Sequence, residues 1–215
     1  MAIPYPAPSQ QPSHPLDYWL DPELARVSPP NAPSRLRQLA DTQGTLSAAW
    51  SSAIGMGPVL ILAGAFITVM TGALAAVLVL GILGAVLLVL GLIFWKRVRW
   101  ALPDTSRTLI SRGPGSVRGG LLMAGFLALV LGGVLATMAP GMASRGAATV
   151  TGLVGAYVLF VLVLTACIVV PSAIQGRARE SFRKRATTDP ALRSLLEQDV
   201  ATWRDPVGNA SYGPL

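Results

Sequence analysis

The 215 residues hold one histidine, His14, and one cysteine, Cys167, the residue types whose acid–base and thiolate chemistry works nearest neutral pH. A thiolate nucleophile needs a base beside it, and a metal site needs several such ligands at close spacing. His14 sits in a proline-rich N-terminal stretch and Cys167 in a long apolar run, so nothing in the sequence couples them. A lone cysteine forms no intrachain disulfide. Cys167 reads as a small apolar residue in lipid or at a helix contact. Met56, Met70, Met123, Met138 and Met142 are potential haem ligands by type, but no histidine accompanies them in the apolar runs, and methionine there reads as filler. Gly113-Pro114-Gly115 is a turn rather than a phosphate cradle, and no metal-ligand spacing or nucleophile motif occurs. Asp104 is the single acid between residues 96 and 118, which makes an enzyme working at a membrane surface the least favoured class. The sequence therefore predicts no catalytic, cofactor or metal site, and a protein that is not an enzyme.

The elements that would have to position any chemistry are dominated by the stretch from Thr42 to Trp95, which holds no Asp, Glu, Lys, Arg or His. As one helix it would be roughly 80 Å long. A bilayer core is about 30 Å thick, so the stretch must cross twice, with a break at Thr71-Gly72 leaving about 20 residues on each side. Trp50 and Trp95 stand at its two ends as interface aromatics. Composition agrees: 52% of residues are hydrophobic, 13% are charged and the mean hydropathy is +0.56, too apolar for an ordinary soluble domain. The net charge of +7 would suggest nucleic acid as a partner in a soluble protein, but here the basic residues flank apolar spans, so no nucleic-acid partner is expected. Arginine dominates over lysine, which occurs only at Lys96 and Lys184; with the abundant Ala and Gly this suggests a GC-rich bacterial genome.

The predicted architecture is an all-α integral membrane protein with four transmembrane helices in two helical hairpins, a proline-rich N-terminal arm and a short amphipathic C-terminal helix. Residues 1–33 form the arm, in which repeated proline favours extended backbone. It has no basic n-region with an apolar core, so no cleaved signal peptide is expected. Within it, Leu16 to Leu24 form an apolar island: Asp21 is placed to cap a short helix that Pro22 and Glu23 begin. Residues 34–50 read as a juxtamembrane helix capped by Ser34, with Leu36, Leu39 and Ala40 on one face and Arg35 and Arg37 on the other. Residues 51–95 are the first hairpin and 96–118 a basic loop. Residues 119–171 are the second hairpin, with Pro140-Gly141 ending its first span and Pro171 its second. Residues 172–215 are a basic tail in which Asp189 caps an amphipathic helix opened by Pro190 and carrying Leu192, Leu195, Leu196 and Trp203. Residues 205–215 read as loop. Asn209-Ala210-Ser211 matches a glycosylation sequon but falls in this tail, expected in a bacterial cytoplasm.

Orientation follows from the positive charges. Arg26, Arg35 and Arg37, the loop residues Lys96, Arg97, Arg99, Arg107, Arg112 and Arg118, and the tail run Arg177 to Arg185 hold nearly all of them. The links near Thr71 and Arg145 hold none and one. Both termini and the middle loop are expected in the cytoplasm, in the plasma membrane of a bacterium.

Small residues recur at four-residue spacing within the spans: Gly64-Thr68-Gly72, Gly81-Ala85 with Gly84 beside them, Gly132-Ala136 and Ala148-Gly152-Ala156. Such stripes let helix backbones approach where lipid offers no hydrophobic drive. Tyr157, Thr149 and Thr165 are expected to hydrogen-bond between helices. The residues expected to bind a partner are Tyr18, Trp19, Leu20 and Leu24 of the arm, the Ala148-Gly152-Ala156 face, and Trp203. Lys96, Arg97, Arg99, Arg183, Lys184 and Arg185 are the candidates for anionic lipid. Spans without charge do not suit pumps, proton relays or exporters, which bind and release charge inside the bilayer. The expected role is a non-catalytic accessory or structural subunit of a larger bacterial membrane complex, with a respiratory or other energy-transducing assembly as host and other integral membrane subunits as partners. The alternative is a small transporter or channel that lines a pore as a homo-oligomer with Ser51, Ser52, Thr68 or Thr137.

Overall fold

In the computed structural model of the chain, residues 14–29, 32, 34–105, 115–203 and 212–215 are described. The first 13 residues of the arm, Pro30, Asn31 and Pro33, the loop positions Arg107, Arg112, Gly113 and Pro114, and the sequon at 209–211 lie outside them. Every regular element among the described residues is a helix.

Among the described residues, four helices are long and apolar enough to cross a membrane: α3 (Arg35–Thr71), α4 (Leu74–Trp100), α5 (Val117–Ala143), and a run over Ala147–Gly176. That run comprises α6 (Ala147–Leu164), a π-helical turn (Thr165–Val169) and α7 (Val170–Gly176). Two short helices, α1 (Leu16–Leu20) and α2 (Pro22–Val27), precede them, and α8 (Ala178–Thr188) and α9 (Pro190–Thr202) follow. The break between α3 and α4 falls where the sequence puts it: α3 ends at Thr71 and Gly72 takes φ +74°, a conformation cheap only for glycine.

Three expected boundaries move. The juxtamembrane helix and the first span are one continuous helix, α3, with Pro58 in its interior. Pro140 lies inside α5, which continues to Ala143. Pro171 does not end the fourth span either; helix continues through it to Gly176. Proline removes one i→i−4 hydrogen bond and crowds the carbonyl four residues back. At Pro171 the preceding turn widens instead of breaking: the Val170 N–H reaches back five residues to the Thr165 carbonyl. Such π-turns absorb an irregularity without ending a helix.

The chain folds as two compact units. The larger comprises residues 41–101 and 109–178 and holds the apolar helices, which approach closely at several glycines. A Cβ at Gly57 would lie 2.7 Å from the Gly84 carbonyl oxygen, and one at Gly64 would lie 3.0 Å from that of Ala76, so α3 and α4 approach to backbone contact at both glycines. The same test puts Gly55 of α3 2.9 Å from Cβ of Ala166 in the π-turn, and Gly120 of α5 2.7 Å from Ser172 of α7. Trp50 stacks on Phe94 with ring centroids 4.6 Å apart, bringing together the two ends of the charge-free stretch.

The smaller unit comprises residues 1–40, 102–108 and 179–215. Its core is a side-chain core of the soluble kind: Leu16, Leu20, Leu36, Leu39, Ala40, Phe182, Ala186, Leu192, Leu196, Tyr212 and Leu215 are all buried together. Each element contributes residues three or four apart, the helical spacing that lines one face. Asp189 caps α9, accepting from the N–H groups of Ala191 and Leu192, and Asp21 caps α2 through the N–H of Glu23. The basic run from Arg179 to Arg185 is itself helical, within α8.

Candidate interaction surfaces

The apolar island of the arm does not lie extended. Leu16 and Leu20, one turn apart on α1, enter the core of the smaller unit at 4% and 5% exposure. Trp19 is half-buried against that core, and its carbonyl accepts from the Leu215 N–H at 3.1 Å. Asp17 accepts from the Arg193 guanidinium of α9 at 2.8 and 2.9 Å. Leu24 is half-buried. Tyr18 is the exposed member at 42%; its ring stacks on His14 at 4.3 Å and meets Trp19 edge-on at 5.0 Å. Trp203, at the C-cap of α9, packs on the same core. Leu16, Trp19 and Leu20 of the arm thus pack in a core shared with the chain's own C-terminal residues, whereas Tyr18 and Val27 stay exposed. Burying one leucine side chain is worth about 1.5–3 kcal/mol.

Tyr212 is the residue that joins these groups: residues 212–215 carry no regular structure, as the loop reading has it, but Tyr212 is buried, which that reading did not anticipate. Its ring lies 6.4 Å from Trp19 and 6.1 Å from Trp203 by centroids, and its hydroxyl donates to the Leu196 carbonyl at 3.3 Å. Burial pushes the phenol well above its ordinary 10.0, the Asp199 carboxylate adds to the shift and Arg35 offsets part of it. The available signal was two large apolar residues, Tyr212 and Leu215, close to the end of the tail.

Arg35 and Arg37 are corrected too. A solvated polar face was expected, but they are 5% and 4% exposed. Arg35 forms a bidentate pair with Asp199 of α9 and also donates to the Thr105 carbonyl. Arg37 donates to the carbonyls of Pro29 and Ala32. Ser34 donates its hydroxyl to the Tyr212 and Pro214 carbonyls, so it ties the tail down rather than capping α3 with its side chain.

The small-residue stripes separate into used and unused faces. Gly64-Thr68-Gly72 is used: Gly64 lies against Ala76, Val77 and Leu80, and the Thr68 hydroxyl donates to the Ala73 carbonyl while accepting from the Val77 N–H. Gly132 lies against the Tyr157 ring, whose hydroxyl donates across to the Ala128 carbonyl of α5. On α4 the contact belongs to Gly84, because a Cβ at Gly81 meets nothing within 4 Å and Ala85 is exposed. On α6 it belongs to Gly155, over which the Phe66 ring sits. Gly152 meets only the tip of Met70, and Ala148 and Ala156 are exposed. Thr165, expected to bond between helices, donates to Val161 of its own helix.

The six basic candidates also divide. Arg183 donates to the Leu215 oxygen at 2.6 Å, and Arg185 pairs with Asp189 at 3.1 Å; both are half-buried. Lys184 is exposed and pairs with Glu180 one turn away. Lys96, Arg97 and Arg99 at the end of α4 are exposed. Comparison with known protein families, characterised proteins and solved structures finds no match.

Proposed function

We propose that this chain is an integral protein of the bacterial plasma membrane that crosses it four times in two helical hairpins, with both described end segments and the middle loop in the cytoplasm. The observation that carries this reading is the make-up of the smaller unit. Leu16 and Leu20 share its core with Leu192 and Leu196, and Arg35 donates to the carbonyl of Thr105 in the loop after α4. Segments that pack together lie on one side of a membrane, so the helices between them cross in even numbers: α3 with α4, then α5 with the Ala147–Gly176 run. The surplus of Lys and Arg in those segments then favours the cytoplasmic side.

Within that membrane the proposed role is non-catalytic: a structural or accessory subunit of a larger assembly, of the kind found in respiratory and other energy-transducing membranes. Charge-free spans supply nothing to bind and release an ion or proton. Small residues left uncovered on the outside, Ala148 and Ala156 on α6 and Gly81 and Ala85 on α4, suit close approach by helices of another subunit. The hydroxyls that a homo-oligomeric pore would need are turned to backbone carbonyls: Ser51 and Ser52 to Ala48, Thr68 to Ala73 and Thr137 to Val134. Purification of the tagged chain in mild detergent, followed by mass spectrometry, tests the reading. Stoichiometric membrane partners are expected, and a pure homo-oligomer would overturn it.

A further inference from the structure

We propose that the C-terminal end of α4 is a binding site for the headgroups of anionic phospholipids, and that the equally basic run on α8 is not. The inference rests on α4 spanning the bilayer, as argued above. Basic side chains near a helix C-terminus are ordinarily drawn to its unpaired carbonyls. On α4 that role is taken by Gln43, whose amide donates to the carbonyls of Val98 at 3.3 Å and Ala101 at 3.1 Å. Lys96 and Arg97 are thereby left exposed, with no ion pair among the described residues. Arg99 lies over the Trp95 ring, 5.2 Å from its centroid, which holds the guanidinium beside an interfacial aromatic. Trp100, 74% exposed, extends the collar with the amphipathic ring that favours the headgroup level. Charge complementarity selects phosphatidylglycerol or a similar anionic headgroup over a zwitterionic one. On α8 the same residue types have partners within the chain: Arg183 donates to Leu215, Arg185 pairs with Asp189, and the exposed Lys184 pairs with Glu180.

The test uses the full chain in mild detergent with equal amounts of phosphatidylglycerol and phosphatidylcholine of matched acyl chains, the retained lipids being read by native mass spectrometry. Wild type should retain phosphatidylglycerol preferentially. The double variant K96Q/R97Q should lower that preference roughly thirtyfold, from about one kcal/mol per near-surface cation. R183Q/R185Q should leave it within about twofold, because Leu215 and Asp189 already hold those two side chains and the gain of about 1 kcal/mol per cation is kept for ones free to meet lipid. Preference unchanged in the first variant, or lost equally in both, overturns the site; so does displacement of the lipid by millimolar inorganic phosphate. Alkaline carbonate extraction of membranes separates the two levels. A chain released by carbonate overturns the membrane reading together with the lipid site, whereas a chain retained with unchanged lipid preference overturns the lipid site alone.

Discussion

Arg35 and Asp199, 164 positions apart, meet in a buried pair in which two guanidinium nitrogens each lie 3.2 Å from a different carboxylate oxygen. The pair fastens the first turn of α3 to α9. Removing one partner strands a buried charge, which typically costs about 3–5 kcal/mol, while replacing both with apolar residues can be neutral. Asp199→Ala should therefore make the smaller unit susceptible to limited proteolysis near α9 while the bundle helices stay protected. Combining Arg35→Met with Asp199→Leu should restore much of the resistance.

Tyr212 gives the smaller unit a dependence on alkaline pH. Its phenol is held above the ordinary 10.0, so the folded state binds the proton more tightly than the unfolded state. The associated stability is fully present below pH 10 and is lost as pH rises above it toward the folded value. Thermal unfolding followed between pH 8 and 11 should show the loss in wild type (a range bracketing the ordinary phenol value, about 10). Tyr212→Phe should flatten it, at a cost of about 1 kcal/mol at neutral pH for the bond to Leu196.

Gly84 and Gly81 lie on one helix and differ in what a side chain would meet. A Cβ at Gly84 would stand 2.5 Å from the Gly57 carbonyl oxygen, a backbone atom that cannot swing aside; one at Gly81 has open space. Gly84→Ala should lower the melting temperature of the detergent-solubilised chain, with about 1–3 kcal/mol lost to overpacking. Gly81→Ala should be neutral or gain up to about 1 kcal/mol from helix propensity.

The outer face of α6 separates folding from assembly. Ala148 and Ala156 are exposed, so Ala148→Leu with Ala156→Leu should leave the melting temperature of the isolated chain unchanged. Recovery of membrane partners should fall if this face receives them. Undiminished recovery would move the proposed contact elsewhere.

Orientation is checked by labelling. With Cys167 changed to Ala, cysteines placed at Thr71 and Gly146, which flank the two short links, should react with an impermeant maleimide in intact cells. A cysteine at Ser181, exposed on α8, should react only after the cells are opened. The reverse pattern would invert the proposed topology.

The apolar helices were legible in the sequence because length and absence of charge are properties of the segment alone. The break at Thr71-Gly72 and the caps at Asp21 and Asp189 were legible for the same reason, since each depends on residues within a few positions. What escaped was non-local. Proline announces a lost hydrogen bond, but whether a helix stops or widens depends on its neighbours; Pro140 and Pro171 were both read as stops. Four-residue spacing identifies a row of small residues without saying which is touched, and the contacts fell one position away, on Gly155 rather than Ala156. Arg35 looked solvated because Asp199, which accompanies it into the core, lies at the other end of the chain. The candidate surfaces shifted accordingly: Leu20 is buried in a core against which Trp203 packs, and of the six basic candidates Lys96 and Arg97 are exposed with no ion pair among the described residues.

The shared core of Leu16, Leu20, Leu192 and Leu196 has a consequence for biosynthesis. Leu20 is complete 172 residues before Leu192 exists. At the usual 5–20 residues per second, the interval on the ribosome is on the order of 10–30 s. Through that time the apolar face of α1 lacks its C-terminal companions, and the intervening apolar helices must all be made before it gains them. A chain arrested or cut before α9 would therefore present Leu16, Leu20, Leu36 and Leu39 to solvent, marking an unfinished molecule for chaperones and proteases while its finished siblings go unmarked.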